Sequence, residues 1–204
     1  MKNTPEQVRE IIKWGHQHRQ MLREHYRSQF VAYSATRLLA AGRDWDLVES
    51  QAQAEGEPYC VKWIPANTSE FQFFWFKFYG MTRHQWEPEY LVTLSNGSIS
   101  HDLLMLVDSG AELSLISQKI GAALGLRVAD REILSNGTGV GGMVEYVIRE
   151  IDLTIDGNNF KAPVAWLQTE IDAPLLLGRE KVFDLFDIEF VQAEERIEFK
   201  WRAD

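Results

Sequence analysis

Cysteine is almost missing from this 204-residue chain: Cys60 is the single one. No internal disulfide can form, and the place of Cys60 between Tyr59 and Val61 in a strand-like stretch reads as a buried, inert thiol. No run approaches the roughly eighteen apolar residues that a membrane span requires. The opening MKNTPEQVREIIKW lacks the uninterrupted apolar stretch of a signal peptide. A cytoplasmic location and the absence of a membrane partner are the expectations. Positive charge is also short: 21 Lys and Arg stand against 30 Asp and Glu, a formal net charge of -9. Without a basic face able to displace the counterions of a polyanion, nucleic acid is not expected as a partner.

With 45% hydrophobic residues, the chain has the composition of a folded protein and the length to close a core. Its patterning divides it into unequal parts. Residues 1–27 form the first, in which Asn3 or Thr4 can cap a helix that starts with Pro5 and Glu6 and carries Val8, Ile11 and Ile12 at helical spacing. One amphipathic helix over 5–27 is predicted. Its basic residues alternate with Glu6, Glu10 and Glu24 as on a solvated face, and His16, His18 and His25 are expected at the surface, since their spacing does not suit a metal site. Residues 28–86 follow as a small α/β module: strand-like Phe30 to Tyr33 and Arg37 to Ala40, a helix capped by Asp44 and ended near Gly56, and a strand over Tyr59 to Ile64. The aromatic run FQFFWFKFYG at 71–80 calls for burial, either as a covered connecting strand or as an interface strand.

Chemistry enters in the remaining part, residues 87–204. Tyr90 to Leu94 and Ile99 to Val107 flank Ser95-Asn96-Gly97-Ser98, a strong hairpin signal. The second strand is nearly continuous in apolar residues from Leu103 to Val107 and delivers Asp108-Ser109-Gly110 at its tip. Alone, Asp-Ser-Gly is more often an ordinary turn. Its sequel is more specific: a helical stretch over Ser114 to Gly125, a glycine-rich turn around Gly139-Val140-Gly141-Gly142, then Leu176-Leu177-Gly178-Arg179. Val182 to Phe186 suits a short helix, and Asp187 to Val191 with Arg196 to Trp201 suits a terminal hairpin.

In this order the motifs resemble those of the retropepsins, the single-domain aspartic proteases of retroviral type. The resemblance covers roughly residues 87–204. It implies a mainly β fold, a closed acid-protease barrel, preceded here by the N-terminal helix and the hairpin–helix–strand module. It also implies an aspartic endopeptidase that needs no metal and no cofactor, acts as a homodimer, and takes a peptide or protein substrate. Asp108 would be the catalytic carboxylate. Ser109 would supply the hydroxyl that locks two active-site loops together, Gly110 would admit the substrate backbone, and Ala111 would line the cleft. Gly139, Val140, Gly141, Gly142 and Met143 would form the flap over bound peptide. Leu177, Gly178 and Arg179 would support the active-site loop, with Arg179 paired to Glu112.

Elementary electrostatics points the same way. Hydrolysis by carboxylates needs two of them sharing one proton, and the chain has one Asp-Ser-Gly. The partner carboxylate is therefore expected from Asp108 of a second copy. The alternative is a non-catalytic peptide-binding or dimerisation module on the same fold.

Overall fold

The computed structural model describes residues 3–64, 86–139, 142–169 and 174–202. The aromatic run at 71–80 and the turn residues Val140 and Gly141 lie outside them.

The chain begins with two helices rather than one, α1 (Pro5–Gln17) and α2 (Arg19–His25). Thr4 caps α1 by accepting from the Gln7 amide, while the Gln7 side chain accepts from the Thr4 amide at 2.8 Å, a reciprocal capping box. The break comes at His18 (φ -102, ψ 9). There the imidazole stacks on Trp14, with ring centroids 4.1 Å apart, and places Nδ1 2.9 Å from the Trp14 carbonyl. A side chain bonding back to the carbonyl that the helix itself uses favours a bend. The module follows as expected: β1 (Gln29–Tyr33), β2 (Leu38–Gly42), α3 (Trp45–Ala54) and β3 (Cys60–Ile64). Asp44 caps α3 by accepting from the Leu47 amide at 3.0 Å, and β1 lies between β2 and β3, antiparallel to both.

The second part runs β4 (Glu89–Asn96), β5 (Ile99–Val107), β6 (Ser114–Ile116), α4 (Gln118–Ala123), β7 (Ser135–Gly139), β8 (Gly142–Ile155), β9 (Asn158–Leu167), β10 (Leu176–Leu177), α5 (Val182–Leu185), β11 (Phe186–Val191) and β12 (Arg196–Trp201). Strands β4, β5, β10, β6, β9 and β8 pair in that order, and β8 returns to β4. This is a closed six-stranded barrel, so the fold is mainly β with a closed barrel after N-terminal helices and strands, as the resemblance implies. Gly97, at φ +61, makes the tight β4–β5 connection that a side chain would strain. The helix expected over Ser114 to Gly125 is shorter than its pattern. Ser114–Ile116 is instead a strand, parallel to β9 and beside β10, and Ser117 caps α4 by accepting from the Ile120 amide at 3.3 Å. Ladder bonds to two neighbours, which depend on residues about fifty positions away, outweigh the local helical tendency.

The continuous apolar character of β5 has a simple cause: both of its faces are covered. Leu103, Met105 and Val107 fill the barrel with Val92, Ile116 and Leu177. Leu104 faces the other way and packs with Ile11, Trp14, Leu22, Tyr33 and Ile64 of the N-terminal part. Burying a leucine to this extent stabilises by roughly 1.5–3 kcal/mol. A backbone bridge from Val61 to Leu103 joins β3 to β5, so module and barrel share one sheet. Strands β11 and β12 form a separate two-stranded sheet, laid on the barrel through Phe186, Phe199 and Trp201 against Phe160 and Tyr90.

Two expectations about the first helices are corrected. Arg19 and Arg23 do not belong to a solvated face; both reach Glu87, just before β4. His16 is no surface histidine: its side chain is 11% exposed and lies beside Glu89. The charges turn inward because β4 supplies carboxylates that the helix pattern cannot show. Cys60 is buried as expected, 1% exposed, and burial pushes its thiol well above the ordinary range. The native protein should therefore react with a disulfide reagent only as fast as it unfolds; rapid stoichiometric labelling without denaturant would contradict this burial.

Candidate active site

Strand β5 ends where Val107 donates its amide to the Pro88 carbonyl at 2.8 Å, and Asp108 is the next residue. Alongside runs β10, parallel to β5 with Leu177 opposite Val107. The two strands fasten the start of the loop: the Leu106 amide donates to the Leu175 carbonyl at 2.9 Å and the Asp108 amide to the Leu177 carbonyl at 3.0 Å. Beyond Asp108 the same pair of segments remains joined, with the Arg179 amide donating to Ala111 at 2.9 Å and the Glu180 amide to Glu112 at 2.8 Å. The Gly178 amide donates to Oγ of Ser114 at 3.1 Å, and Ser114 is wholly buried. Five hydrogen bonds thus hold the loop from 106 to 114 against residues 175–180, and leave the Asp108 side chain little freedom except about its own torsions.

Within the loop, the Asp108 carboxylate accepts from the Gly110 amide at 2.8 Å. A Cβ on Gly110 would lie 3.2 Å from Oδ1 of Asp108, so glycine there keeps the carboxylate uncrowded. Asp108 and Ala111 are partly exposed, and Ser109 and Gly110 are exposed. Among the described residues no cation pairs with Asp108. Gly178 is demanded by space alone: an added Cβ would sit 2.3 Å from the Leu113 carbonyl carbon and 2.7 Å from the Ser114 nitrogen.

The Arg179–Glu112 ion pair implied by the resemblance is not found; no salt bridge joins these exposed side chains. Their segments are bonded through backbone instead, which holds the loop whatever side chains these positions carry. Ser114, buried and bonded to Gly178, is a support that the sequence pattern did not single out. A serine in an otherwise apolar strand is its signal.

The glycine-rich turn is a hairpin. Strands β7 and β8 pair from Ser135↔Tyr146 to Gly139↔Gly142, and Met143 on its arm is 73% exposed. The ring of Tyr146 lies across Gly137, where a Cβ would come within 3.1 Å of it. The hairpin's base is tied down: the Glu145 amide donates to Oγ1 of Thr169 at 3.0 Å and the Gln168 amide to the Glu145 carbonyl at 2.8 Å. Arg149 donates both terminal nitrogens to Glu132 at 2.7 Å. Together with the Ala129 amide, it holds the Glu132 carboxyl down to about 2. Partners 17 residues apart in sequence leave no local trace, so this anchor too escapes a reading of the sequence.

A cavity of about 880 Å³ lies elsewhere, between α1, β4 and β12, and Asp108 is not on its wall.

No curated protein matches the chain. Among solved structures, the EIAV protease in complex with the inhibitor HBY-793 is similar at 23% identity and a TM-score of 0.37, over 53% of this chain and 93% of that one. Residues 92–180 match the model of the family described as "Aspartyl protease". The matched stretch runs from β4 through Asp108-Ser109-Gly110 and the β7–β8 hairpin to Gly178, and it is this part of the chain that is similar to an aspartyl protease domain.

Proposed function

We propose that the protein is a homodimeric aspartic endopeptidase in which Asp108 of each protomer contributes half of one catalytic dyad. The observation that carries this reading is the placement of Asp108: a partly exposed carboxylate with no cationic partner among the described residues, at the tip of a buried strand, in a loop fastened at five points. Two such carboxylates brought close cannot both ionise; they hold one proton between them. The ionised one takes a proton from water as the water attacks the scissile carbonyl, while the protonated one donates to the carbonyl oxygen. The resulting diol then collapses: the carboxyl that took the water's proton gives it to the amide nitrogen as the C–N bond breaks, the other carboxylate takes a proton back from a diol hydroxyl, and a carboxylic acid and an amine leave with water as the only co-reactant. The dyad's titration then belongs to the pair rather than to either protomer.

The remaining residues fall into supporting roles. Ser109, whose hydroxyl has no hydrogen bond within the protomer among the described residues, supplies the bond across to the partner loop. Gly110 and Ala111 leave room for substrate backbone, and the β7–β8 hairpin covers a peptide bound as an extended strand.

Sedimentation and peptide-library digestion together test the reading. A dimer that cleaves peptides in the acidic to neutral range, and is stopped by statine-type inhibitors, is the expected result. A protein that stays monomeric at high concentration with substrate present, or a folded dimer that cuts no peptide across that range, overturns it.

A further inference from the structure

The N-terminal module and the barrel meet along α1, α3 and β3 on one side and β4 and β5 on the other. At this joint two histidines face two glutamates in opposite senses. His16 of α1 sets Nε2 3.7 Å from a carboxylate oxygen of Glu89 in β4, with the side chains 11% and 9% exposed. His101 of β5 sets Nδ1 3.6 Å from a carboxylate oxygen of Glu49 in α3, with the side chains 7% and 24% exposed. Those two nitrogens are buried and have no hydrogen-bond partner among the described residues. In a neutral ring such a nitrogen is a cost; a protonated ring has an N–H and a positive charge to direct at the oxygen beside it.

We propose that the His101–Glu49 contact forms a proton-operated clasp, which tightens the module on the barrel as the pH falls from about 8 to about 6. The charges around His101 allow it. Beside His101 stand Glu49 and Asp46 of α3, the Trp45 ring at 4.9 Å, and the Ala123 carbonyl 3.3 Å from Nε2. Tyr59 also lies near Glu49, and Glu49 accepts from the Trp45 indole at 2.9 Å. Burial works against a charged His101, yet Glu49 and the Ala123 carbonyl outweigh it and raise its pKa above the ordinary 6.5. A folded-state pKa above the unfolded one gives stabilisation that is complete below the unfolded value and is lost as pH rises through the folded value. The joint is thus tighter in mild acid. His101 lies in β5, the strand that ends at Val107 just before Asp108, so the clasp acts on the strand that carries the candidate site. It does not depend on the protease reading.

The test uses the full chain with Asp108→Asn, so that self-cleavage cannot intrude. Amide hydrogen exchange of α1, α3 and β3 is measured at pH 6 and pH 8 and corrected for intrinsic rates. Several-fold greater protection at pH 6 is expected, falling below about twofold when His101→Gln is added. Equal protection at the two pH values, or a gain that survives His101→Gln, overturns the clasp. Glu49→Gln keeps His101 and removes its carboxylate; it should lose most of the gain, and it replaces His101→Gln if that fails to fold. Full pH dependence in Glu49→Gln likewise overturns the clasp.

Discussion

Asp108→Asn should abolish peptide hydrolysis while leaving the fold and the dimer intact. The amide has the carboxylate's shape, and its oxygen can still accept from the Gly110 amide, which bonds Asp108 at 2.8 Å. It cannot accept and return the shared proton, so general acid–base catalysis, which contributes roughly 10²–10⁴-fold, is lost. Peptide turnover, thermal midpoint and sedimentation measured on one preparation separate these effects. A mixture sharpens the test: with equal amounts of wild type and variant exchanging freely, about one quarter of dimers carry two aspartates. If both carboxylates are required, activity per total dimer falls to that fraction; activity proportional to wild-type chains would mean that each protomer works alone. Cleavage persisting at the wild-type rate in pure Asp108→Asn would remove Asp108 from the mechanism.

Gly178→Ala is expected to be strongly destabilising. Its Cβ would meet Leu113 C at 2.3 Å, Leu113 O at 2.4 Å and Ser114 N at 2.7 Å. These are backbone atoms, and no rotamer change can clear them. Overpacking usually costs about 1–3 kcal/mol where side chains can yield; here the Asp108 loop or the β10 turn must itself shift, so a loss above about 3 kcal/mol is expected. The shift would also break the Gly178–Ser114 hydrogen bond and loosen the loop that holds Asp108. Denaturant unfolding measures the loss directly, and a change within about 1 kcal/mol of wild type would show that the loop and β10 are not in the contact described. Gly110→Ala is the useful contrast, since its Cβ meets only the Asp108 carboxylate at 3.2 Å. It should spare stability and act on activity.

Local chemistry was enough to read much of this protein. The Asn96-Gly97 turn, the Thr4 and Asp44 caps, the strand leading into Asp108 and the terminal hairpin each depend on residues within a few positions of one another, so their signals stand side by side in the chain. The order of Asp108-Ser109-Gly110, the glycine-rich turn and Leu177-Gly178 was likewise legible, because each is a short motif of neighbouring residues; of the three, Gly178 marks a place where backbone comes close to backbone. What the tertiary structure alone decided depends on partners brought together by sheet pairing. Ser114–Ile116 became a strand because β9 and β10 lie beside it. His16, Arg19 and Arg23 turned inward because Glu87 and Glu89 sit at the head of β4. Arg179 and Glu112 were joined through backbone rather than charge, and His101 met Glu49 across a joint that no periodicity announces. Hydrophobic pattern and turn chemistry act over one or two turns of chain, whereas a buried charge finds its partner only after the chain has folded back on itself.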